Sequence, residues 1–369
     1  MISRPRFEEL RAARIEELAL ARANGQKVAG CLSGLEPFEL IRACGAIPVR
    51  LARGGYDAEV RGEKYLRSDA CPFCLSTAGN FETDPLHRLV DVVVATSTCD
   101  LLRRLPETLH EQFGIPVLQL YRPRTSEPLP HRLAEYERQL RRLADELAAL
   151  TGTGFDPARY VEAVRDGNRA RARLRELDAT RLADRPGVSE SDILDLTALA
   201  GLLEPAAFMD FASTLRPGTL EPSNPLPFRP RLALAGSEIA EQDRRLVELV
   251  ERRADIVYDM VDTGSGWFAA DVEPDPEPFA GLARSGYHTG AGFCRRPNDD
   301  AYARLRHGLA ERRARGLVLK TLLYCDPWSL EAKRLQEAFR IPLLHLDTDY
   351  STENREQVRT RVEAFLETL

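Results

Sequence analysis

The chain contains an internal repeat, and this repeat limits the folds that it can adopt. Residues 93–120 (VVATSTCDLLRRLPETLHEQFGIPVLQL) align without a gap with residues 319–346 (LKTLLYCDPWSLEAKRLQEAFRIPLLHL). Both segments contain a Cys-Asp pair, followed by a Phe after fourteen positions and an Ile-Pro pair after sixteen. Each has the pattern of a strand, a helix and a second strand. The repeat therefore predicts two similar α/β units.

The repeat also places two cysteines at equivalent positions. Cys99 and Cys325 each come just after the first strand of a unit, at the edge of the sheet where α/β proteins bind ligands. The helix that follows each cysteine would direct its N-terminal amides at the thiol and favour the thiolate. Two domains that face each other would bring the two cysteines together across a cleft. The alternative is an old duplication with two buried, inert cysteines.

Outside the repeat, the 369-residue chain divides into three parts. Residues 1–130 and 229–369 alternate amphipathic segments with short apolar runs, which is typical of parallel α/β domains. The predicted strands cover 27–30, 47–52, 89–96, 115–120, 231–236, 255–260, 316–324 and 341–346. Residues 131–228 are predicted to form a helical region followed by a linker.

The helical region is predicted from spacing and from helix start signals. Apolar residues recur every three or four positions from Leu133 to Leu150, and we expect them to serve in packing. Asp156-Pro157 and the pair Ser189 and Asp192 are typical helix starts. Five prolines between Pro217 and Pro230 predict an extended linker.

Composition excludes several classes of protein. With 43% apolar and 29% charged residues, the chain is typical of globular proteins rather than of disordered or fibrous ones. A formal charge of −6 gives no overall electrostatic case for nucleic acid. The chain lacks the apolar run of about 18–20 residues that spans a membrane, and its start, MISRPRFEEL, lacks the apolar segment of a secretory signal. We therefore expect a cytoplasmic protein that binds neither nucleic acid nor membrane.

Seven cysteines need an explanation other than a disulfide framework, because disulfides are rare in a reducing cytosol and the number is odd. Cys71 and Cys74 form a CxxC motif, which serves zinc sites, dithiol redox sites and iron–sulfur clusters. Its sequence context predicts a loop rather than the strand-to-helix turn of a thioredoxin. The histidines show no ligand spacing, and only His288 lies near a cysteine, Cys294. Soft thiolates without histidine favour an iron–sulfur site.

The remaining cysteines differ in their predicted surroundings. Cys31 ends the first strand and therefore lies at the ligand-binding edge of its sheet. Cys294 lies in the glycine-rich segment GYHTGAGFCRR, where an isolated cysteine is ordinarily incidental. Cys44 lies on the apolar face of a short helix and is predicted to be a buried core residue. Six cysteines remain once Cys44 is set aside.

The order of these motifs resembles the 2-hydroxyacyl-CoA dehydratase family, which also contains the cluster subunits of benzoyl-CoA reductases. The motifs that carry the resemblance extend over nearly the whole chain: KVAGCLSGLEPFELIRACGAIPVRL, YLRSDACPF, TSTCD, YCDP, LDTDY and TRVEAFLETL. The resemblance implies two flavodoxin-like α/β domains with a helical middle section and an iron–sulfur cluster in the cleft between them. It implies that Cys71, Cys99 and Cys325 are cluster ligands.

The family resemblance also implies a source of electrons. A separate ATP-hydrolysing iron–sulfur activator supplies the low-potential electron in this family. This chain has no phosphate loop of the form GxxxxGK[ST], so we expect that it does not hydrolyse ATP itself.

The chain departs from the ordinary dehydratase pattern in three additional cysteines, Cys31, Cys74 and Cys294. In this respect it resembles the double-cubane cluster proteins, a branch of homodimers that hold an 8Fe–9S cluster. Three thiolates for each cubane require six cysteines, and six remain here. The resemblance assigns Cys71, Cys99 and Cys325 to one cubane. Cys31, Cys74 and Cys294 are then left for the other, although two CxxC neighbours could also serve the same cubane.

Two functions follow from these alternatives. The first is a reductase of small molecules with an 8Fe–9S cluster, reduced by the activator. The second is a component of a 2-hydroxyacyl-CoA dehydratase or aryl-CoA reductase with a single 4Fe–4S cluster. An electron carrier or maturation protein, and a structural zinc protein, are further alternatives. The sequence names neither the substrate nor a catalytic acid or base.

Overall fold

The structure is a computed structural model that describes residues 2–216, 229–275, 277–288, 292–351, 353 and 355–369. Residues 217–228, which contain most of the predicted linker, lie outside these ranges. The side chain of His288 also lies outside the description.

Two parallel sheets with the same strand order form the framework. The first contains β1 (Lys27–Cys31), β2 (Ala46–Arg50), β3 (Val92–Thr96) and β4 (Val117–Leu120) in the order β2-β1-β3-β4. The second contains β5 (Arg231–Gly236), β6 (Asp255–Val261), β7 (Gly316–Leu322) and β8 (Leu343–Thr348) in the order β6-β5-β7-β8. All pairs are parallel. This arrangement confirms the predicted α/β class and is consistent with two flavodoxin-like domains.

Helices surround the two sheets and fill the chain between them. Those of the first unit are α1 (Arg4–Ala23), α2 (Phe38–Ala43), α3 (Tyr56–Gly62), α4 (Pro72–Thr83), α5 (Pro85–Arg88) and α6 (Asp100–Phe113). The middle section contributes α7 (Pro130–Thr151), α8 (Pro157–Ala179), α9 (Glu190–Ala200) and α10 (Pro205–Thr214). Those of the second unit are α11 (Arg245–Glu251), α12 (Pro278–His288), α13 (Asp299–Glu311), α14 (Asp326–Ser329), α15 (Ala332–Phe339) and α16 (Arg355–Leu366). Within the described ranges, no helix is both long and apolar enough to cross a membrane.

The repeat is visible in three dimensions. β3 and β7 occupy the same position in their sheets, and Cys99 and Cys325 are the N-cap residues of the helices that follow, α6 and α14. Gly114 at the end of α6 and Arg340 at the end of α15 both have a left-handed backbone conformation (φ 66° and 49°). The second unit differs because its single predicted helix is split into α14 and α15.

The middle helices cover the sheets. The apolar stripe of α7 contributes Tyr136, Leu140 and Leu143 to a core cluster with Val92 and Val94 of β3, which confirms its predicted packing role. Helices α1, α8, α9 and α10 share another core cluster. The predicted helix starts are also confirmed, since Asp156 accepts hydrogen bonds from the first turn of α8 and Ser189 forms a capping box with Asp192.

The two units contact each other near the carboxyl ends of their strands. The amide of Glu241 donates to the carbonyl of Ala52 at 2.9 Å, and the amide of Gln242 donates to that of Arg53 at 3.1 Å. Leu322, at the end of β7, packs in the same apolar cluster as residues of the first unit. These contacts hold the ligand-binding edges of the two sheets side by side.

Candidate metal centre

A cavity of about 520 Å³ lies between the carboxyl edges of the two sheets. Its walls come from both units, and its lining includes five of the seven cysteines: Cys71, Cys74, Cys99, Cys294 and Cys325. The structure therefore brings together Cys99 and Cys325, as the repeat predicts, and adds the CxxC motif and the cysteine from the glycine-rich loop. Cys31 and Cys44 do not line this cavity.

The CxxC motif lies at the start of a helix, so the prediction of a loop is wrong. Cys71 is the N-cap residue of α4, Pro72 occupies its first position and Cys74 lies in its first turn. The thiol of Cys74, and the amides of Phe73 and Cys74 beside the Cys71 sulfur, lower the pKa of Cys71 even though burial acts in the opposite direction. The pKa of Cys74 is raised, first by its interaction with the Cys71 sulfur and second by burial.

The other three cavity thiols are neutral in the absence of a cation. Burial raises the pKa of Cys99 to about 11, although the amide of Leu102 donates to its sulfur at 3.4 Å. Burial also raises the pKa of Cys294 and of Cys325, as do neighbouring groups that include Asp262. Since a metal ligand must be the thiolate, metal binding here would release protons.

A turn positions the sulfur of Cys325. Tyr324, the residue before it, has a left-handed φ of 63°, a conformation that costs energy in residues other than glycine. Tyr324 and Cys325 line the cavity two and three residues after the end of β7.

Cys31 and Cys44 lie in the same core cluster, between the first sheet and its covering helices. Both are fully buried. Along β3, Val92 and Val94 belong to this cluster, whereas Val93 and Ala95 belong to the one that contains Cys74. Because alternate residues of a strand face opposite sides, Cys31 packs on the opposite face of the first sheet from the CxxC motif. The predicted core position of Cys44 agrees with this placement.

Residues 36–369 match the family described as "2-hydroxyglutaryl-CoA dehydratase, D-component". The chain belongs to this family. The resemblance inferred from the sequence motifs is thereby confirmed.

Relatives within the family match over almost their full length. The chain is 26% identical to the "Putative dehydratase subunit YjiM" of Escherichia coli K12, over 98% of this chain and 97% of the relative. It is 23% identical to the "(R)-2-hydroxyglutaryl-CoA dehydratase, subunit beta" of Acidaminococcus fermentans, over 98% of each. It is also 23% identical to the "(R)-phenyllactyl-CoA dehydratase beta subunit" of Clostridium sporogenes, over 94% of this chain and 92% of the relative.

The donor set of the cavity fits an iron–sulfur cluster, the cofactor that the resemblance to this family implies. Five thiols and no histidine line it within the described residues, and soft thiolates are the usual ligands of such clusters. Among those residues, no three His, Cys, Asp or Glu side chains are placed to hold a single metal ion. A cluster separates its thiolates by several irons, so it suits thiols that are spread around a cavity.

Two carboxyl groups on the cavity wall were not identified from the sequence. Glu238 follows β5 by two residues, and Asp262 follows β6 directly. Burial raises the pKa of Glu238 to about 8, despite Arg50, whose Nη2 lies 3.8 Å from Oε2. Burial also raises the pKa of Asp262 to about 6, although its Oδ2 accepts a hydrogen bond from Trp328 at 3.3 Å. Glu238 can therefore hold a proton at neutral pH.

Arginines on the cavity wall were also missed. The cavity is lined by Arg122, Arg124, Arg295, Arg296 and Arg304, of which Arg122 and Arg295 are almost fully buried. Burial together with the charges of Arg122 and Arg304 lowers the pKa of Arg295 to about 10. Arg295 immediately follows Cys294, so this part of the wall was adjacent to a predicted ligand.

Proposed function

We propose that the cavity holds an iron–sulfur cluster, and that the chain uses it as a low-potential reductase of a small molecule. The convergence of five cysteines on one cavity carries this proposal. When bound, such a cluster supplies electrons of low potential. The electrons come from a separate ATP-hydrolysing activator, as the family resemblance implies.

The number of thiols favours a cluster larger than one cubane. Three thiolates suffice for one 4Fe–4S cluster of the dehydratase type, and Cys74 and Cys294 are present in addition. We therefore assign an 8Fe–9S double cubane, with Cys71, Cys99 and Cys325 on one cubane and Cys31, Cys74 and Cys294 on the other. Because Cys31 packs on the far face of the first sheet, its participation requires the end of β1 to change conformation when the cluster binds.

The chain's own residues prepare the cavity for this role. The amide of Leu102 in the first turn of α6 donates to the sulfur of Cys99, and the amides at the start of α4 lie beside the sulfur of Cys71; both favour the thiolate. The ammonium group of Lys320 also lowers the pKa of Cys71. Glu238, protonated at neutral pH, offers a proton to a substrate that is being reduced in the cavity.

A second function is a 2-hydroxyacyl-CoA dehydratase component with a single 4Fe–4S cluster. One observation favours this second function: each of its three proposed ligands is the N-cap residue of a helix, namely Cys71, Cys99 and Cys325. Two relatives are named as beta subunits of dehydratases. In this reading Cys74 and Cys294 are not ligands.

Counting iron and sulfide in anaerobically purified protein separates the two functions. The double cubane requires about eight irons for each chain, and the single cluster about four. Under the proposal, Cys74→Ser and Cys294→Ser both lower the iron content and change the spectrum towards that of isolated cubanes. Full cluster content in both variants would contradict the double cubane and support the single cluster. Zinc in place of iron would contradict both.

A further inference from the structure

The arginines of the cavity wall have a role that the cluster does not explain. Arg122 and Arg295 are only 7% and 9% exposed, and Arg304 of α13 is partly buried. All three line the same cavity as the five thiols. Burying a guanidinium group is costly unless an anion or well-placed hydrogen-bond acceptors compensate its charge.

Backbone carbonyls hold Arg122 and Arg295 in place, and an aromatic ring also contacts Arg295. Arg295 donates from Nη1 to the carbonyl of Tyr287 at 2.6 Å, and its guanidinium carbon lies 5.1 Å from the centre of the Tyr287 ring. Arg122 donates from Nη2 to the carbonyls of Gly286 and Tyr287. Within the described residues, the buried Nε atoms of Arg295 and Arg304 have no hydrogen-bond partner.

Other buried arginines of this chain are compensated differently. Arg181 is almost completely buried and pairs with Asp178, Glu190 and Asp259. Arg244, which is also buried, pairs with Asp195 at 3.0 Å. The contacts that hold Arg295 are instead a neutral carbonyl and a ring, which leave its positive charge directed at the cavity.

A bound cluster also carries negative charge, but the cavity contains further cations that can compensate it. Arg124 and Arg296 line the same cavity, and Arg296 is two residues from Cys294. The charges of Arg295 and Arg304 are therefore available to a second anion beside the cluster.

We propose that the molecule reduced in this cavity carries an oxyanion, which Arg295 and Arg304 bind. A guanidinium group binds a carboxylate or a phosphate through two parallel hydrogen bonds, which fixes both position and orientation. Since the thiols and arginines share one cavity of about 520 Å³, the anion belongs to the reacting part of a small substrate. This inference rests on the proposed function in one respect only, that the cavity is the substrate site.

Isothermal titration calorimetry at low salt, on anaerobically purified full-length protein, tests this site directly. The probes are propionate, pyrophosphate and the neutral propionamide. We expect propionate or pyrophosphate to bind and propionamide not to bind. Whichever anion binds identifies the oxyanion as a carboxylate or a phosphate.

Matched variants localise the binding. Arg304→Gln should weaken anion binding about tenfold or more, because it removes a charged hydrogen-bond donor, and Arg304→Lys should recover only part of it. Arg306→Gln is the control, since Arg306 lies on the same helix, is exposed and stacks over Phe339 at 5.6 Å. It should bind the anion like the wild type. Thermal unfolding shows whether each variant is folded. If Arg304→Gln does not fold, Arg295→Gln tests the same anion site.

Three outcomes would overturn the inference. They are no binding of either anion by iron-loaded protein, unchanged binding by both glutamine variants, and equal binding of propionamide. A shift in the midpoint potential of the cluster in Arg304→Gln, with anion binding unchanged, would assign the arginines to the cluster instead. Iron and sulfide are counted in the same samples. Absence of iron would contradict the proposed function, and anion binding, which is measured separately, would still test the inference.

Discussion

The role of Cys31 can be decided with a pair of closely matched variants. Cys31→Ala and Cys44→Ala each remove one sulfur from the same core cluster, and both residues are fully buried. The two thiols also make similar weak contacts, with the carbonyl of Ala29 at 3.9 Å and that of Ala144 at 3.8 Å. Any difference between the variants therefore comes from cluster binding and not from packing.

The expected cost of each deletion is small and nearly equal. Removing one heavy atom from a packed core is comparable to replacing Ile by Val, which costs about 1 kcal/mol. A weak S–H···O contact adds little to this. Urea unfolding of the iron-free proteins should therefore give the two variants free energies of unfolding that agree to within about 1 kcal/mol.

The iron content should differ strongly between the same two variants. Under the six-thiolate proposal, Cys31→Ala loses iron and sulfide while Cys44→Ala retains the wild-type content. Both are measured after anaerobic purification, with Cys99→Ala as the reference for the loss of a ligand. If Cys31→Ala keeps its full iron content, Cys31 is only a core residue. The cluster then has at most five thiolate ligands, and the reasoning from six cysteines fails.

Three further predictions follow from other parts of the molecule. The purified chain should neither bind ATP tightly nor release phosphate from it, while a partner ATPase should support its reduction; robust ATP turnover by the chain alone would contradict the activator. Asp84 is buried, accepts from Arg11 at 2.6 and 2.8 Å and contacts the His87 ring at 2.7 Å, so Asp84→Asn should lower the free energy of unfolding by about 3–5 kcal/mol, measured in urea. Hydrogen bonds and charges from His87 and Arg11 lower the pKa of Asp84 against the effect of burial. The Asp84 carboxylate therefore stabilises the fold at neutral pH, and this stabilisation is lost in acid. Below about pH 4, Asp84→Asn should lose less stability than the wild type. Burial raises the pKa of Glu238 from 4.5 to about 8, so the free energy of unfolding of the wild type should fall as the pH rises through this range. The stability of Glu238→Gln relative to the wild type should therefore be greater at pH 9 than at pH 5. An identical pH dependence in both proteins would refute this.

The sequence predicted those parts of the fold and site that depend on local patterns. The position of Cys99 and Cys325 follows from strand and helix periodicity and from the two Ile-Pro pairs, and the structure agrees. The segments YLRSDA before the CxxC motif and the polar STAGN after it predict a loop there, although Pro72 is a typical first residue of a helix. The side of the sheet that Cys31 faces could not be predicted, because both faces of a parallel sheet are buried and apolar.

The charged walls depend on contacts between distant segments. Arg122 and Arg304 are far apart in sequence and meet only because the two units face each other. Glu238 and Asp262, however, follow strands β5 and β6 closely. The same argument from the carboxyl edge of the sheet that selected the cysteines could have selected these two carboxyl groups.

The matching order of the two sheets has a consequence for the origin of the site. A single ancestral unit with one Cys-Asp pair offers one thiol at the end of its central strand, so two copies must face each other to offer two. Such a pair is symmetric, and every change in one half appears in the other. Once both units are joined in one chain, each half can diverge independently. Here Cys71 and Cys74 belong to the first half and Cys294 to the second, so the pseudo-symmetric framework now encloses an asymmetric pocket.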